Sequence, residues 1–354
     1  MENRIEKLRD ILEENDAILI TDDADRFYIT GFNSSAGTVF ITRKSAYFFI
    51  DFRYFEKAKK TVNDIDVILE NGLKSQLRKI IYDEKIEKIY VRTESLSVST
   101  FLLYNSFLDG KLSDGNKLDK TIKNLRSIKS AHEIENIKIA QQYTDKTFEY
   151  ILGKIKEGKT EKEIMLDMEF YIRSLGSEGV SFDFIVVSGK NSSLPHGTPS
   201  DKQIQKGDFI TMDFGAVYNG YRSDMTRTVA VGFVNDDQKI VYNTVLEAQK
   251  KALKEIRAGK ICKQIDAVAR DFIDGCGFQG CFGHGLGHSV GIEIHEDPCF
   301  NTRCEVQLES SMVMTVEPGI YIQNGFGVRI EDMVVVAENG CDDLTKSEKE
   351  LIIL

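Results

Sequence analysis

The sequence predicts two domains of different class, an α/β domain over residues 1–125 and an α+β domain over residues 126–354. Three observations carry that division. A chain of 354 residues is longer than a usual single domain. Charge and rare residues are unevenly shared: residues 1–125 hold 20 basic and 21 acidic side chains, leaving a net −9 for the remainder, which also holds all five His and all four Pro. Before the boundary, helix and strand patterns alternate; beyond it, two helical stretches precede apolar strands joined by Asn-Gly turns.

In the first domain, Ile5, Leu8, Ile11 and Leu12 recur at helical spacing across residues 2–15, and AILI at 17–20 reads as a buried strand. FYITGF, GTVFIT and SAYFFID read as short strands separated by Gly and Ser turns, and IEKIYV at 86–91 as another. Asp51-Phe52-Arg53-Tyr54 follows an apolar strand and reads as a salt-bridged loop. In the second domain, Ser130 with Glu133 and Thr160 with Glu163 have the form of capping boxes. They open one helix running to about residue 156 and another ending at Gly176. His132 falls in the first turn of the former and takes no functional role.

The stretch 209–232 reads as two strands around Asn219-Gly220, a two-residue hairpin turn. That turn sets Tyr218 opposite Tyr221 and Asp213 opposite Thr226. Asp213 and Asp224 then become diagonal neighbours on one face, about 7–8 Å apart along the backbone. Two carboxylates so close in a sheet would not both ionise without a cation. A second hairpin, 312–336, again places two acids, Glu317 and Glu331, around an Asn324-Gly325 turn. Here an even loop would put them on opposite faces, so an odd loop or a bulge is expected. His196-Gly197-Thr198-Pro199 precedes the first hairpin and His295-Glu296-Asp297-Pro298 the second, as in halves of an internal repeat. Two αββ units packed about a pseudo-twofold axis would bring the four acids to one centre.

Between the hairpins, CFGHGLGHSVGIEIHEDP at 281–298 carries His284, His288 and His295 among four glycines. The glycines disfavour a helix bearing the His pair, and a dinucleotide GxGxxG fails at Val290. A glycine-rich segment that lets backbone approach a ligand closely, with three imidazoles, reads as functional.

These residues, within DFGAVYNGYRSDMTRT, HGLGHSVGIEIHEDP, EPGIYI and VRIED, resemble the pita-bread metallopeptidases, and among them the aminopeptidase P and prolidase branch, over nearly the whole chain. The resemblance implies a catalytic domain of pseudo-twofold αββ repeats with a curved antiparallel sheet, behind an α/β amino-terminal domain of the creatinase/prolidase kind. It implies hydrolysis of Xaa-Pro bonds in peptides or dipeptides through a hydroxide bridging two divalent ions. Asp224 and Glu331 would bridge the ions, Asp213 hold one, and His288 and Glu317 the other. One imidazole and four carboxylates suit Mn²⁺, with Co²⁺ or Zn²⁺ as alternatives. The resemblance further implies that Glu317 handles the nucleophile's proton. His295 would serve the tetrahedral intermediate or the leaving imide nitrogen, His196 and His284 would line the proline side, Phe182 would touch the ring, and Arg329 would fix a metal-binding carboxylate. A homodimer acting on proline-containing peptides is expected. Two other readings share the fold: a metal-free relative or peptide-binding module, and a methionine-aminopeptidase-like enzyme with the same five ligands.

Composition narrows the partners. A net charge of −10 gives no footprint for nucleic acid or anionic membrane. The charged start MENRIEKLRDILEEND and the lack of a long apolar run point to the cytoplasm. All six cysteines lie in the last hundred residues and read as thiols, with spacing too wide for structural zinc.

Overall fold

The computed structural model describes residues 4–354, which divide into two compact units between Arg126 and Ser127. In the first, the buried run Asp16–Ile20 is a central strand. It pairs antiparallel with Thr38–Thr42 and parallel with Lys88–Val91. Ala46–Ile50, Asp66–Leu69 and Leu112–Ser113 complete a mixed six-stranded sheet. The parallel pairs require crossovers, which the helices Phe52–Thr61 and Leu73–Asp83 help to supply.

Two segments of this unit depart from the sequence expectation. FYITGF is not a strand: Phe27 to Thr30 belong to a helix, Asp23–Thr30. Asp22 caps its start by accepting the Asp25 N–H, and Gly31, in the left-handed conformation at φ 65°, closes its end on Phe27 O. Caps at both ends of eight residues outweigh the modest strand preference of aromatic and β-branched side chains. Likewise Asp51 to Tyr54 are a helix start, not a loop. The Asp51 side chain caps Phe52–Thr61 while pairing with Arg53 at 2.6 Å. The first helix is confined to Arg4–Arg9, and residues 2 and 3 lie outside the described residues.

In the second unit both capping boxes form, at Ser130/Glu133 and Thr160/Glu163, opening the helices Ala131–Leu152 and Glu161–Ser174. Three antiparallel strands follow, with Phe209–Phe214 between Ile185–Ser188 and Met225–Ala230. The pattern then repeats. Helices Asp236–Glu255 and Cys262–Ile273 precede Val313–Val316, which lies between Gly287–Ser289 and Asp332–Ala337 in a five-stranded sheet. Each repeat buries its own apolar cluster, one around Ile164, Met168 and Met212, the other around Val245, Ile265 and Val334. The repeats meet where the Glu331 N–H donates to Thr226 O at 3.1 Å and the Thr228 hydroxyl to Arg329 O at 2.9 Å.

Turn chemistry sets the register of both hairpins. Asn219 and Gly220 each have positive φ, 47° and 76°, as a type I′ turn demands, and Tyr218 faces Tyr221 while Asp213 faces Thr226. The second hairpin turns through three residues, Gln323 to Gly325, bracketed by an Ile322 to Phe326 backbone bond of 2.9 Å. Val316 faces Asp332 and Gly319 faces Arg329, so the odd loop leaves Glu317 and Glu331 directly opposed. Among the described residues no helix is long and apolar enough to cross a membrane.

Behind the hairpins Arg227 is buried at 1% exposure. Its guanidinium donates to Asp332 Oδ1 (2.7 Å) and to the carbonyls of Glu331 (2.6 Å), Ser347 (2.9 Å) and Glu348 (3.0 Å). Burial alone would raise the Asp332 carboxyl, but Arg227 and Lys349 hold it below the ordinary carboxylate range. Removing one partner of a buried pair strands the other charge. Arg227→Ala is therefore expected to cost about 3–5 kcal/mol, read as a lower urea midpoint for the second unit. Coincident wild-type and variant transitions would refute this.

Candidate metal centre and cleft

The four acids of the two hairpins converge with one imidazole. Asp224, His288 and Glu331 each offer a ligand atom within 4.8 Å of the others. His288 Nε2 lies 3.5 Å from Glu317 Oε1 and 3.7 Å from Asp224 Oδ2. Backbone packing makes the approach possible. A Cβ at Gly287 would stand 2.1 Å from Thr315 O, and one at Gly215 1.9 Å from Ser223 O, so neither neighbour of these ligands tolerates a side chain.

The electrostatics fit a site for a cation. Burial first, then Glu331, Asp213 and Glu317, raise the Asp224 carboxyl well above its ordinary value. Burial, Glu317 and Asp213 do the same to Glu331. Glu317 is pushed up to about 8, chiefly by burial, with Asp213 adding to the rise. Three carboxylate oxygens, Asp213 Oδ1, Asp224 Oδ1 and Glu331 Oε1, are buried with no hydrogen-bond partner among the described residues. Buried acceptors are ordinarily satisfied, and three orphans converging from the two hairpins fit a bound cation. The imidazole fits it too. Burial and the neighbouring His295 push His288 down to about 4, and its Nδ1–H donates to Ser289 O at 3.1 Å, which leaves the Nε2 lone pair facing the acids.

Three of the remaining oxygens are held by protein donors. Thr226 Oγ1 donates to Glu331 Oε2 at 2.7 Å and Thr315 Oγ1 to Glu317 Oε1 at 3.2 Å. Arg329, 3% exposed, donates from Nη2 to Asp213 Oδ2 at 2.6 Å and from Nε to Thr226 Oγ1 at 3.0 Å. It thus orients one acid directly and steadies the hydroxyl that orients another.

The cluster lies in a cleft of about 1270 Å³, whose lining also includes His196, His284, His295 and Phe182. The three histidines have different surroundings. His284 is fully engaged: its Nδ1–H donates to Gly285 O (2.8 Å), and its Nε2 accepts from the Tyr321 hydroxyl (3.0 Å), which in turn accepts from Arg329 Nη1 (2.8 Å). Burial and the Arg329 charge push it down to about 4, so it presents a neutral ring to the cleft. His295 and His196 are exposed, and among the described residues neither imidazole has a hydrogen-bond partner. The His295 ring stands edge-on to His288, with centroids 4.5 Å apart. Phe182 is half-buried in the wall. Sequence reasoning passed over Tyr321, which links Arg329 to His284; its only signal was an aromatic beside Glu317 in the EPGIYI strand.

Comparison with known proteins agrees with this geometry. Residues 135–338 match metallopeptidase family M24, and residues 4–128 the creatinase/prolidase N-terminal domain. The chain is 38% identical to a Xaa-Pro dipeptidase of Pyrococcus furiosus over 99% of its own length and 100% of the relative's. Among solved structures, a Xaa-Pro dipeptidase from Bacillus anthracis superposes with a TM-score of 0.95 at 42% identity, covering 99% of each chain. An X-Pro aminopeptidase from Thermotoga maritima MSB8 superposes at 0.91 and 39% identity, covering 98% of this chain and 100% of that one. With an α/β amino-terminal unit, a pita-bread fold of repeated helix-and-hairpin halves, and acids converging from both, the chain belongs to metallopeptidase family M24.

Proposed function

We propose that the chain hydrolyses Xaa-Pro bonds at the amino end of peptides, using two divalent ions held by Asp213, Asp224, His288, Glu317 and Glu331. The observation that carries this reading is the trio of orphaned carboxylate oxygens around a neutral imidazole. The printed activities of the Pyrococcus, Bacillus and Thermotoga relatives support the substrate class. Mn²⁺ suits the oxygen-rich donor set best, with Co²⁺ or Zn²⁺ accepted. Asp213, Asp224, His288, Glu317 and Glu331 are the side chains that would hold the ions. When bound, such a pair supplies an acidified water near neutral pH and a Lewis acid for the scissile carbonyl.

The chain's own side chains do the rest. Glu317 takes the attacking water's proton. His295, both of whose ring nitrogens are uncommitted among the described residues, hydrogen-bonds the carbonyl oxygen as it gains charge or passes a proton to the leaving imide nitrogen. Arg329 keeps Asp213 in place. The prolyl nitrogen has no N–H to recognise, so choice rests on shape: His196, the ring of His284 and Phe182 form the proline side. In the same reading residues 1–125 are the amino-terminal domain and 126–354 the catalytic one, in a cytoplasmic homodimer.

Three outcomes are expected. Asp224→Asn should lower kcat/KM by more than about 100-fold, the loss that already attends removal of a residue merely supporting a metal ligand, and should bind less Mn²⁺. Wild-type rates from this variant, or from exhaustively chelated enzyme, would sink the reading. Because the carboxyl of Glu317 holds its proton up to about pH 8 in the metal-free protein, Mn²⁺ binding at pH 7 should release protons and tighten as pH rises. Calorimetry in two buffers of different ionisation enthalpy measures this, and heats independent of buffer would contradict it. Finally, the cleft of about 1270 Å³ exceeds the ~300–1,000 Å³ of an ordinary small-ligand site. Ala-Pro and Ala-Pro-Ala should therefore both be cut under Mn²⁺; failure on the tripeptide would restrict the enzyme to dipeptides.

A further inference from the structure

The cleft wall that carries His196 is a long irregular segment. It leaves the strand Ile185–Ser188, passes through one tight turn at Gly189–Ser193, and continues without regular structure to Ser200. Pro195, His196, Gly197, Thr198 and Pro199 all line the cleft. Since the His196 imidazole has no hydrogen-bond partner among the described residues, its position depends on how its backbone is held.

One side chain does most of the holding. Glu161, the first residue of the helix Glu161–Ser174, is 0% exposed. Among the described residues no cation pairs with it, and its carboxylate accepts only from neutral donors of the His196 segment. Oε1 accepts the Ser188 N–H (2.6 Å), the Ser188 hydroxyl (2.8 Å) and the Asn191 amide (3.1 Å). Oε2 accepts the Ser200 N–H (3.0 Å), the Ser200 hydroxyl (2.6 Å) and the same Asn191 amide (3.2 Å). Both ends of the segment, and a point between, are thus tied to one carboxylate. The helix N-terminus behind it favours the negative charge. On the opposite side the segment touches the machinery of the metal centre: Arg329 Nη1 donates to Pro195 O at 3.3 Å, and the Gly327 N–H to the Ser192 hydroxyl at 2.9 Å.

We propose that Glu161 is a positioning residue: by gathering Ser188, Asn191 and Ser200 onto one buried carboxylate it fixes the backbone that presents His196 to substrate. It lies outside the proposed ligand set and touches none of the five ligands. The inference rests on the reading of His196 as a substrate-side residue. Replacing the carboxylate by an amide turns one acceptor into a donor that faces other donors, so the segment loses its tie at one end.

The test is a double-mutant cycle on the full-length Mn²⁺ enzyme with Ala-Pro, using His196→Ala, Glu161→Gln and the combination. Glu161→Gln should reduce kcat/KM by roughly 10–100-fold, the scale of a small misplacement far from the chemistry, while the bound Mn²⁺ per chain stays at the wild-type value. In the His196→Ala background the same substitution should cost nothing more. Should Glu161→Gln fail to fold, Ser200→Ala, which removes one donor, replaces it in the same cycle with a smaller expected loss. Unchanged kcat/KM in Glu161→Gln would overturn the inference. So would a loss that persists in full without His196, which would mark Glu161 as a structural residue only. If His196→Ala alone changes nothing, the role assigned to His196 falls first and this inference falls with it, whereas Asp224→Asn tests the peptidase reading separately.

Discussion

Four carboxylates within reach of one another, two buried and two partly buried, repel, and the second unit is organised around containing that repulsion. Asp213 comes from the strand Phe209–Phe214, and Asp224, Glu317 and Glu331 come from short breaks between consecutive strands of the hairpins. Asp213 and Asp224 are set by one hairpin, Glu317 and Glu331 by another, and the Glu331 to Thr226 backbone bond locks the two together. The protein supplies Arg329, Thr226 and Thr315 to some of the oxygens and leaves three without partners. Like charges in a low-dielectric interior either take up protons or gather around a cation. The raised carboxyls express the first alternative, and a family of metallopeptidases built on the same frame points to the second.

Much of this was legible from residue order because hairpin parity is arithmetic. An Asn-Gly turn of two residues determines which side chains share a face, so Asp213 and Asp224 could be paired without any structure. The second hairpin was constrained in reverse: its acids could meet only across an odd loop, and the loop has three residues. What sequence pattern could not supply was tertiary. FYITGF looked like a strand because its residues favour one, whereas the caps at Asp22 and Gly31 decided for a helix. Tyr321 and Glu161 carry no motif of their own. Their importance lies in which donors and acceptors the fold brings to them, and those partners lie as far as 39 residues away in the chain.

The histidines show how one residue type takes different duties from its surroundings. His288 gives one nitrogen to a backbone carbonyl and keeps the other for the acids. His284 has both nitrogens engaged, one by Gly285 and one by Tyr321, and so offers only a ring face. His295 and His196 keep both nitrogens uncommitted at the cleft surface. The glycines interspersed with His284 and His288 have a separate task. Gly287 allows the Thr315 carbonyl to pass within a distance no side chain permits, and this brings the His288 strand against the second hairpin.

The position of these acids along the chain bears on how the protein is made. The first two lie at residues 213 and 224 and the last at 331. At ~5–20 residues per second of synthesis, roughly 6–24 s separate the emergence of Asp213 from that of Glu331. During that interval the ribosome carries half a centre, two acids in an apolar hairpin whose neighbouring edge has not yet been translated. The outer edge of Met225–Ala230, which Glu331 meets in the finished fold, is open to pairing with other chains until the second hairpin arrives to cover it. Folding of this unit cannot be complete before its last strands are translated, and until then the nascent first hairpin is the species that a chaperone would shield.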